Sequence, residues 1–428
     1  MNFSIDTGFF HKYNICMIKR TVLNTVISSL QIRPVILITG ARQTGKSTLC
    51  REIIKELPSY SYVSLDDIIE RRAAKEDPVA FLERYKSPLI IDEVQYVPEL
   101  FEVIEHNVNQ RKFNEFDNSG MYLLAGSESY LLMQNVTQSM AGRINIFKLP
   151  PLSVSEINKK EETPFKVDFE KNVIRSDSYT ITTDNLYDFI INGMYPEIYE
   201  KKNILSPSTF YSTYVQSYIE RDVSRLLNIK DKLAFERFLE VLASETGQEL
   251  VYDNLAKWVG VKIDTIKSWI SILLATDLIH LVYTYNDNST TKRIVKRPKI
   301  YFSDTGLAAY LARIPDKNIL QASRYKGSFV ETYIVNEIRK SYLNNGLKPE
   351  LYYYRDSNQN EIDLIILDGG KLHCVECKSG VMYDKSTVKA FDKISNGRFE
   401  LGQSCILCTS KTGYKIKDEV YVLPISSI

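Results

Sequence analysis

The sequence Gly40-Ala41-Arg42-Gln43-Thr44-Gly45-Lys46-Ser47, with Thr48 directly after it, decides the fold of the first part of this chain. A short β-branched apolar run, Pro34 to Thr39, precedes it, and a helical stretch, Thr48 to Leu57, follows. Glycines let successive backbone N–H groups surround phosphate oxygens, and the helix amino terminus adds partial positive charge. Lys46 would bind the β- and γ-phosphates, and the Ser47 hydroxyl would bind Mg²⁺. Residues 40–48 are therefore predicted to form a phosphate-binding loop for ATP and Mg²⁺.

A second apolar run, Pro88-Leu-Ile-Ile, ends in two carboxylates, Asp92 and Glu93. Parallel α/β sheets place ligands at the carboxyl ends of their strands, so this pair is expected beside the loop. Asp92 is predicted to hold the Mg²⁺ that accompanies ATP, and Glu93 is predicted to polarise the attacking water. An acid next to the magnesium ligand is typical of a hydrolase rather than of a kinase-like phosphate carrier.

Two other residues near the predicted sheet are candidates for catalysis. A strand from Met121 to Ala125 ends at Gly126-Ser127, so the Ser127 hydroxyl could sense the attacking water; the alternative is an ordinary Gly-Ser turn. Arg143 lies between a predicted helix, Tyr130 to Ala141, and a predicted strand, Ile144 to Leu149. There it could neutralise charge on the γ-phosphate of a neighbouring subunit, and the alternative is a surface arginine.

Further motifs accompany the loop in a fixed order along the chain. They are Leu65-Asp-Asp, Asp77-Pro-Val-Ala-Phe-Leu, Ile91-Asp-Glu-Val-Gln95, Ala125-Gly-Ser127, Ser139-Met-Ala-Gly-Arg143, Gly193-Met-Tyr-Pro-Glu197, Tyr218-Ile-Glu-Arg-Asp222, Lys296-Arg-Pro-Lys-Ile-Tyr-Phe-Ser-Asp-Thr-Gly306 and Glu361-Ile-Asp363. Together with the loop, they resemble a family of prokaryotic AAA+-type ATPases that carry a carboxyl-terminal domain of unknown function. The resemblance extends over nearly the whole chain from Met17. It implies an ATPase but does not name the substrate on which the ATPase acts.

The composition excludes several classes of protein. The chain has 428 residues, enough for two or three domains, and 44% of them are hydrophobic and 25% charged. The formal net charge of +1 does not indicate a nucleic-acid binder, so such a role would need local basic patches. No run approaches the ~18 apolar residues that a membrane span needs. No signal peptide is evident, and the scattered cysteines are typical of reduced thiols, so we expect a cytoplasmic protein without a membrane partner.

The middle of the chain is predicted to be helical. Residues 153–230 are assigned to a helical lid or linker, with a flexible insertion from Glu161 to Asp188. Residues 231–310 are assigned to a winged-helix-like domain, in which a helix, a turn at Gly260, a second helix carrying Lys267 and two strands follow one another.

A basic run, Lys292-Arg293-Ile-Val-Lys296-Arg297-Pro-Lys299, lies between those two strands. Two functions remain open for the segment. AAA+-type proteins often use helical or winged-helix segments to cover the nucleotide or to contact neighbouring subunits. The basic wing could instead bind the phosphates of DNA.

The last part, residues 320–428, places charged residues on apolar elements. Glu331 lies on the apolar stripe of a helix from Phe329 to Leu343, where a carboxylate needs a cation or a metal. Glu337 is expected on the solvated side of the same helix. On the strands that follow, Glu361 shares one face with Asp363.

Glu331, Asp363, Glu376 and Lys378 together resemble the restriction-endonuclease-like PD-(D/E)xK core. The resemblance implies that Asp363 and Glu376 gather Mg²⁺ or Mn²⁺ at a scissile phosphate and that Lys378 orients or activates water. One alternative is a domain of this fold that binds nucleic acid without cutting it. The other is an ordinary hairpin with salt-bridged charges.

Two cysteine pairs, Cys374-x-x-Cys377 and Cys405-x-x-Cys408, raise the question of a zinc site. Residues three apart on a straight strand point to opposite faces, whereas zinc knuckles bend. Thiols packed inside strands are therefore the preferred interpretation.

These observations predict an α/β chain in five parts. The parts are an amino-terminal tail and helix (1–30), a P-loop AAA+-type ATPase domain with a parallel sheet (31–152), a helical lid (153–230), a winged-helix-like domain (231–310) and a nuclease-like α/β domain (320–428). The main hypothesis is an ATPase that could form a homo-oligomer and acts on or near nucleic acid. A second hypothesis is a nucleotide-gated regulator or scaffold whose last domain only binds. A third is an ATP-regulated, metal-dependent DNA endonuclease.

Overall fold

The computed structural model describes residues 17–114, 117–127, 140, 142–201, 204–218, 232–286, 297–394 and 399–428. Most of the predicted helix from Tyr130 to Ala141 lies outside these residues. So do most of the motif Tyr218 to Asp222 and residues 292–296 of the basic run.

Strands and helices alternate in the first part of the chain. The strands are β1 (Val35–Thr39), β2 (Ser61–Ser64), β3 (Leu89–Asp92), β4 (Tyr122–Ala125) and β5 (Ile144–Lys148). The helices are α1 (Val22–Leu30), α2 (Lys46–Glu56), α3 (Ile68–Glu76), α4 (Pro78–Arg84) and α5 (Leu100–Phe113), with a 3-10 turn at Val94–Tyr96. Alternation of this kind produces a parallel sheet with helices on its faces.

These five strands form one sheet in the order β2-β3-β4-β1-β5, and every pairing is parallel. β1 is fully buried, and its side chains alternate between two cores: Val35 and Leu37 face one, and Ile36 and Ile38 face the other. A strand covered on both faces must be apolar throughout, which explains its sequence. The loop after β1 opens at the carboxyl edge of the sheet, between the ends of β4 and β5. This confirms the predicted parallel sheet of P-loop type.

Helices dominate the residues that follow this sheet. They are α6 (Val154–Ile157), α7 (Phe169–Ser176), α8 (Thr183–Asn192), α9 (Pro196–Glu200) and α10 (Pro207–Tyr218). The expectation of a flexible insertion from Glu161 to Asp188 is wrong, because α7 and part of α8 lie within it and Phe165 and Tyr187 are fully buried. The polar composition of this segment conceals two capped helices: the side chains of Asp168 and Thr182 accept hydrogen bonds from backbone N–H groups in the first turns of α7 and α8.

A compact group of helices and a small hairpin come next. Its elements are α11 (Lys232–Ser244), β6 (Gln248–Glu249), α12 (Tyr252–Val259), α13 (Ile263–Ala275), β7 (Ile279–Thr284), β8 (Lys299–Phe302), α14 (Thr305–Leu311) and α15 (Lys317–Ala322). Gly260 ends α12 with a φ of +82°, the left-handed conformation that glycine adopts without strain. Trp269 of α13 packs on Phe235 and Phe238 of α11, with ring centroids 5.2 Å and 5.1 Å away.

A second sheet continues from this hairpin into the last part of the chain. The remaining elements are α16 (Lys326–Leu343), β9 (Leu351–Arg355), β10 (Glu361–Asp368), β11 (Lys371–Cys377), β12 (Glu400–Leu401), β13 (Ser404–Cys408), β14 (Tyr414–Lys417), β15 (Val420–Pro424) and 3-10 helices at Lys385–Lys393 and Ile425–Ser427. The strand order is β14-β15-β13-β11-β10-β9-β7-β8-β6, with β12 beside β11. Because β7 pairs with β9 in parallel (Tyr283 beside Tyr352), the sheet crosses the predicted boundary between residues 231–310 and 320–428.

Helix α16 is buried on several sides rather than along one stripe. Every residue from Phe329 to Ile338 is buried. The expectation that Glu337 faces solvent is wrong: its carboxylate accepts a hydrogen bond from the backbone N–H of Val154 (2.9 Å) and pairs with Lys340 (2.5 Å). A helix enclosed by other elements has no solvated face, and periodicity alone does not show this. Within the described residues, none of the helices combines the length and apolar character that crossing a bilayer would require.

Candidate functional site

The loop between β1 and α2 has a backbone that requires its glycines. Gly40 has a φ of +148° and Gly45 a φ of +94°, which residues with a Cβ atom rarely adopt. A Cβ atom on Gly40 would also collide with the carbonyl oxygen of Leu149, which follows β5. Gln43 has a positive φ of 60° as well. The loop therefore bends tightly over the carboxyl edge of the sheet and leads directly into α2.

The Lys46 side chain is buried and folded back onto this loop. Its Nζ donates hydrogen bonds to the carbonyl oxygens of Gly40 (3.0 Å) and Ala41 (2.8 Å). Burial lowers the pKa of the Lys46 ammonium, although the nearby carboxylates of Glu93 and Asp92 act in the opposite direction. The structure thus brings the loop lysine and the two acidic residues at the end of β3 within electrostatic reach of one another.

Asp92 is buried at the end of β3 and is held by two donors. The Tyr62 hydroxyl donates to Asp92 Oδ2, and the backbone N–H of Glu93 donates to Asp92 Oδ1, each at 3.0 Å. Burial, together with the Asp92 carboxylate, raises the pKa of the Tyr62 hydroxyl, which therefore stays a donor. Sequence reasoning missed Tyr62; the only available signal was its position on the strand that neighbours β3.

Glu93 has a left-handed backbone conformation, with a φ of +57°, and its carboxylate accepts a hydrogen bond from Gln95 Nε2. The other amide atom, Gln95 Oε1, is buried and lacks a hydrogen-bond partner within the described part of the chain. A Cβ atom on Gly126 would lie 2.5 Å from this oxygen. Gln95 therefore lies between Glu93 and the end of β4, where Ser127 follows Gly126. Gln95 belongs to the motif Ile91-Asp-Glu-Val-Gln95, whose pattern does not by itself indicate a function for this amide.

The other predicted loop residues differ in exposure. Thr44 is buried, and its hydroxyl donates to the carbonyl oxygen of Ala41 at 2.9 Å. Arg42 is half-buried and Gln43 is exposed, while Ser47 and Thr48 lie half-buried in the first turn of α2. A hydroxyl at Ser47 and a buried carboxylate at Asp92 are oxygen ligands of the kind that Mg²⁺ prefers, so the residues present fit a magnesium–triphosphate complex.

A buried arginine that sequence reasoning missed supports the loop from behind. Arg20 Nη1 donates to the carbonyl oxygen of Thr44 (2.7 Å), and Arg20 Nη2 donates to that of Pro150 (2.8 Å). Arg20 Nε pairs with Glu156 Oε1 at 3.0 Å, and both side chains are almost fully buried. A planar guanidinium satisfies acceptors in several fixed directions, so this contact holds the loop against the residues after β5.

The other two predicted catalytic residues lie at opposite ends of the sheet. Ser127 follows β4 at the carboxyl edge, because the N–H of Gly126 bonds to Ile38 just before the loop (3.1 Å). Arg143 precedes β5 and so lies at the amino edge, away from the loop of its own chain. Its side chain contacts Asn109 (2.8 Å) and Glu105 (3.3 Å) on α5. A role for Arg143 towards a neighbouring subunit stays a prediction.

The turn before α9 reaches the loop from the helical part of the chain. A Cβ atom on Gly45 would lie 3.9 Å from Pro196 Cγ, so the two segments are in contact. The turn is fixed by the buried carboxylate of Asp304, which accepts hydrogen bonds from the N–H of Met194 and the hydroxyl of Tyr211, each at 2.7 Å. Burial raises the pKa of Asp304, although these donors favour its ionised form.

Glu331, the carboxylate on α16, meets two donors from β8. Lys299 Nζ lies 2.7 Å from Glu331 Oε1, and the Tyr301 hydroxyl donates to the same oxygen at 2.6 Å. Lys299 also pairs with Glu361 of β10 at 2.6 Å. Burial raises the pKa of Glu331 to about 7, against the opposing effect of the Lys299 ammonium. The cation that the position of Glu331 required is therefore Lys299, which the sequence analysis assigned to the basic run.

The other predicted residues of this end of the chain also meet. Lys378 Nζ lies 3.1 Å from Asp363 Oδ2 and 2.6 Å from Glu376 Oε2, and the N–H of Cys377 donates to Asp363 Oδ2 at 2.9 Å. Burial opposes ionisation of Asp363, but the Lys378 and Lys299 ammonium groups lower its pKa. Burial and then the Asp363 carboxylate raise the pKa of Glu376.

As arranged, these residues do not fit a divalent metal. Glu331 contacts Lys299, and both Asp363 and Glu376 contact Lys378, so lysine ammonium groups already neutralise the carboxylates. Throughout the residues that the structure describes, no group of three or more His, Cys, Asp or Glu side chains is arranged to hold a metal. No cleavage step is therefore derived from this cluster.

The cysteines of the two Cys-x-x-Cys motifs are buried within β11 and β13. Cys374 and Cys408 face one apolar core, and Cys377 and Cys405 face another. Members of each pair thus lie on opposite sides of a strand, in the arrangement expected for packed thiols.

Three family descriptions match consecutive parts of the chain. An AAA domain matches residues 32–158, a domain of unknown function (DUF8612) matches residues 183–318, and a second domain of unknown function (DUF4143) matches residues 326–428.

Two relatives and two solved structures are similar to this chain. The uncharacterized proteins Rv2008c of Mycobacterium tuberculosis and Mb2031c of Mycobacterium bovis are each 25% identical over 365 residues, covering 85% of this chain and 75% of theirs. The Walker-type ATPase paby2304 of Pyrococcus abyssi is 14% identical, covers 68% of this chain and 94% of its own, and has a TM-score of 0.40. AMPPCP-bound DnaA from Aquifex aeolicus is 12% identical, with 63% and 88% covered and a TM-score of 0.29. The chain therefore combines an AAA domain on its P-loop-type parallel sheet with two domains of unknown function after it, the last of which is DUF4143.

Proposed function

We propose that the chain hydrolyses ATP at the carboxyl edge of its first sheet. The observation that carries this proposal is the meeting of Lys46, Asp92 and Glu93 beneath a glycine loop that leads into a helix amino terminus. A mobile cation, a buried carboxylate and a second, partly exposed carboxylate are the groups that phosphoryl transfer to water uses.

Each residue has a separate task in this proposal. The Lys46 ammonium leaves the carbonyl oxygens of Gly40 and Ala41 and binds the β- and γ-phosphates of ATP. Ser47 and Asp92 would hold Mg²⁺, which when bound would neutralise charge on the phosphates. Glu93 accepts the proton of the attacking water once its carboxylate is released from Gln95. The Ser127 hydroxyl orients that water from the end of β4.

Replacing Glu93 by Gln tests the proposal. Without a general base, turnover is expected to fall by at least about 100-fold while ATP binding is retained. Phosphate release measures turnover, and isothermal titration calorimetry measures ATP affinity. Lys46→Ala is expected to abolish binding, because it removes the ammonium group proposed to bind the β- and γ-phosphates.

The matched control is Glu83→Gln, which changes an exposed glutamate of α4 and is expected to leave turnover and binding unchanged. Unchanged hydrolysis in the Glu93→Gln protein would contradict the role of Glu93. Absence of ATP binding by the folded wild-type chain would contradict the whole proposal.

A second candidate function is contact with duplex DNA through a winged-helix arrangement. The observation that favours it is the order of elements: α12, a turn at Gly260, α13, then the antiparallel pair β7 and β8. The outer face of α13 is exposed at Lys267 and Ser268, and Arg297, before β8, is exposed as well. In this arrangement α13 would enter the major groove and the segment between the strands would follow the phosphates.

Fluorescence anisotropy with a short labelled DNA duplex tests this second candidate. If Lys267 and Arg297 each contact a phosphate, replacing either by Gln should lower affinity and reduce the slope of log affinity against log salt by about 1. Lys371→Gln, at an exposed position of β11, is the control. Binding that is indifferent to salt and to both substitutions would remove the proposal. Lys267 also lies 3.7 Å from Asp264, so Asp264→Asn should strengthen binding if α13 is the contact surface.

A further inference from the structure

A cavity lies between the first sheet and the carboxyl-terminal part of the chain. Its volume is about 570 Å³, within the range of roughly 300–1,000 Å³ that is typical of sites for small organic molecules. Residues of β5, β7, α16, β9 and the turn from α16 to β9 line it. At that turn, a Cβ atom on Gly346 would lie 2.8 Å from the Phe147 ring, so the turn packs directly on β5 beside the cavity. None of the residues assigned above to ATP hydrolysis or to DNA contact is among the lining residues.

The wall of the cavity is mainly apolar, and its apolar side chains come from both sheets and from the helix between them. Removing apolar surface from water is favourable, so a wall of this kind binds the apolar body of a ligand. These side chains include Ile146 of β5, Leu281 and Val282 of β7, Leu343 of α16 and Leu351 of β9.

The charged side chains in the wall are all basic, as far as the structure describes the chain. They are Lys148 of β5, Arg339 of α16 and Lys348 of the turn. His280, which also lines the cavity, adds no charge, because burial and then the Arg339 guanidinium lower its pKa to about 3. A ligand in this cavity therefore meets positive charge, which favours an anion.

Arg339 indicates which anionic group fits. Only 12% of its side chain is exposed, and its Nη2 donates to Asp277 Oδ1 at 2.7 Å. Among the described residues, no acceptor meets its other N–H groups. Lys148 Nζ lies 4.0 Å from the same Asp277 oxygen, so the ammonium and the guanidinium lie close together in the wall. A guanidinium carries five N–H donors in a planar fork that matches carboxylate and phosphate oxygens, and a ligand of that kind would supply the missing acceptors.

We propose that this cavity binds a small organic anion that carries a carboxylate or a phosphate group on an apolar body. Arg339 binds the anionic group, Lys148 and Lys348 attract it, and the apolar side chains of β7, α16 and β9 contact the body. Because β5 belongs to the wall, such a ligand contacts the ATPase sheet and the carboxyl-terminal part at once.

Decanoate, an unbranched apolar chain with one carboxylate, is the probe that tests this proposal. Isothermal titration calorimetry with the full chain, without nucleotide, is expected to show one decanoate bound per chain. 1-Decanol lacks the charge and inorganic phosphate lacks the chain, so each should bind at least about tenfold more weakly. Decyl phosphate distinguishes a phosphate ligand from a carboxylate ligand, and tight binding of either one supports the proposal.

Two variants test whether decanoate binds in this cavity. Arg339→Lys keeps a positive charge beside Asp277 but loses the planar fork, so decanoate should bind at least about tenfold more weakly. Leu343→Trp fills the cavity without changing a charged residue, and should weaken binding at least about tenfold as well. Lys389→Gln, at an exposed lysine that does not line the cavity, is the control and should bind decanoate as the wild type does.

Circular dichroism verifies that each variant is folded. If Arg339→Lys does not fold, Leu343→Trp decides together with Lys348→Gln, which removes an exposed charge of the wall and should weaken binding about two- to fivefold. Binding of 1-decanol as tight as that of decanoate would overturn the proposal. So would a wild-type chain that binds neither decanoate nor decyl phosphate, or a folded Leu343→Trp protein that binds decanoate as the wild type does. The experiment uses no nucleotide, so its result is independent of ATP hydrolysis.

Discussion

Arg20 lies outside the glycine motif, yet its guanidinium supports the loop that the motif forms. It contacts the carbonyl oxygens of Thr44 and Pro150 and the carboxylate of Glu156 at once. Glu156 in turn accepts hydrogen bonds from the N–H groups of Thr21 and Ser153. The shape of the phosphate-binding loop therefore depends on a buried ion pair as well as on its glycines.

Replacing Arg20 by Met should destabilise the first sheet, because it leaves the buried Glu156 carboxylate without its counter-charge. A loss of about 3–5 kcal/mol in the free energy of unfolding is expected for a broken buried pair. The urea dependence of amide exchange in α1 and α2 measures this loss. ATP affinity should fall as well, since the Thr44 carbonyl loses its donor.

A second substitution separates the charge effect from simple loss of packing. Adding Glu156→Gln to Arg20→Met removes the unpaired charge, so the double variant should recover part of the lost stability. Arg33→Met, at an exposed arginine, is the control and should change stability by less than about 0.5 kcal/mol. Equal losses in the single and double variants would show that Arg20 acts through packing alone.

At the scale of elements, β1 with its loop and β3 with its acidic end could be predicted from the sequence. A strand covered on both faces has to be a continuous apolar run, and a phosphate loop has to carry glycine where φ is positive. The segment from Glu161 to Asp188 could not be predicted in the same way, because its two short helices depend on caps and on docking rather than on a long apolar stripe.

Helix α16 shows that the sequence pattern does not predict which residues contact a buried helix. The position of Glu331 on an apolar stripe correctly indicated a buried partner, but no sequence signal identified Lys299, which lies on a distant strand. Glu337 was expected to face solvent because it lies off that stripe, yet residues 152–165 cover that side of the helix: Leu152 and Phe165 contact Lys340 and Tyr342. Tertiary contacts of this kind are set by the docking of whole elements, and periodicity cannot show them.

At the scale of the molecule, the apolar cores of the described residues fall into two groups. The first sheet has its own two apolar cores, one on each face. A larger core extends from Val154 to Ile428, together with Ala41 of the loop, and includes residues of α11 to α16 and one face of the second sheet, whose other face packs against a smaller core. Because β7 and β9 pair directly, the middle and the last parts of the chain share backbone hydrogen bonds as well as side-chain packing. The division into separate domains at residues 310–320 therefore stays a prediction. Because the parts on either side of it share a core, we expect them to unfold together.

This leads to a prediction about unfolding. The chain has 2 tryptophans, Trp258 and Trp269, and both lie in the middle part, so tryptophan fluorescence, excited at a wavelength that tyrosine does not absorb, reports that part alone. In a urea titration, the fluorescence change should coincide with loss of amide protection in β10 and β11, since these strands share a sheet and the larger core with the middle part. A non-hydrolysable ATP analogue should mainly protect β1 and β4, by about 2.7 kcal/mol at 100 times its dissociation constant, because ligand binding stabilises the unit that binds it. Loss of protection in β10 and β11 well before the fluorescence change would contradict the shared unit. It would mean that the hydrogen bonds between β7 and β9 contribute little, and that the carboxyl-terminal domain keeps its fold through α16 and its own strands.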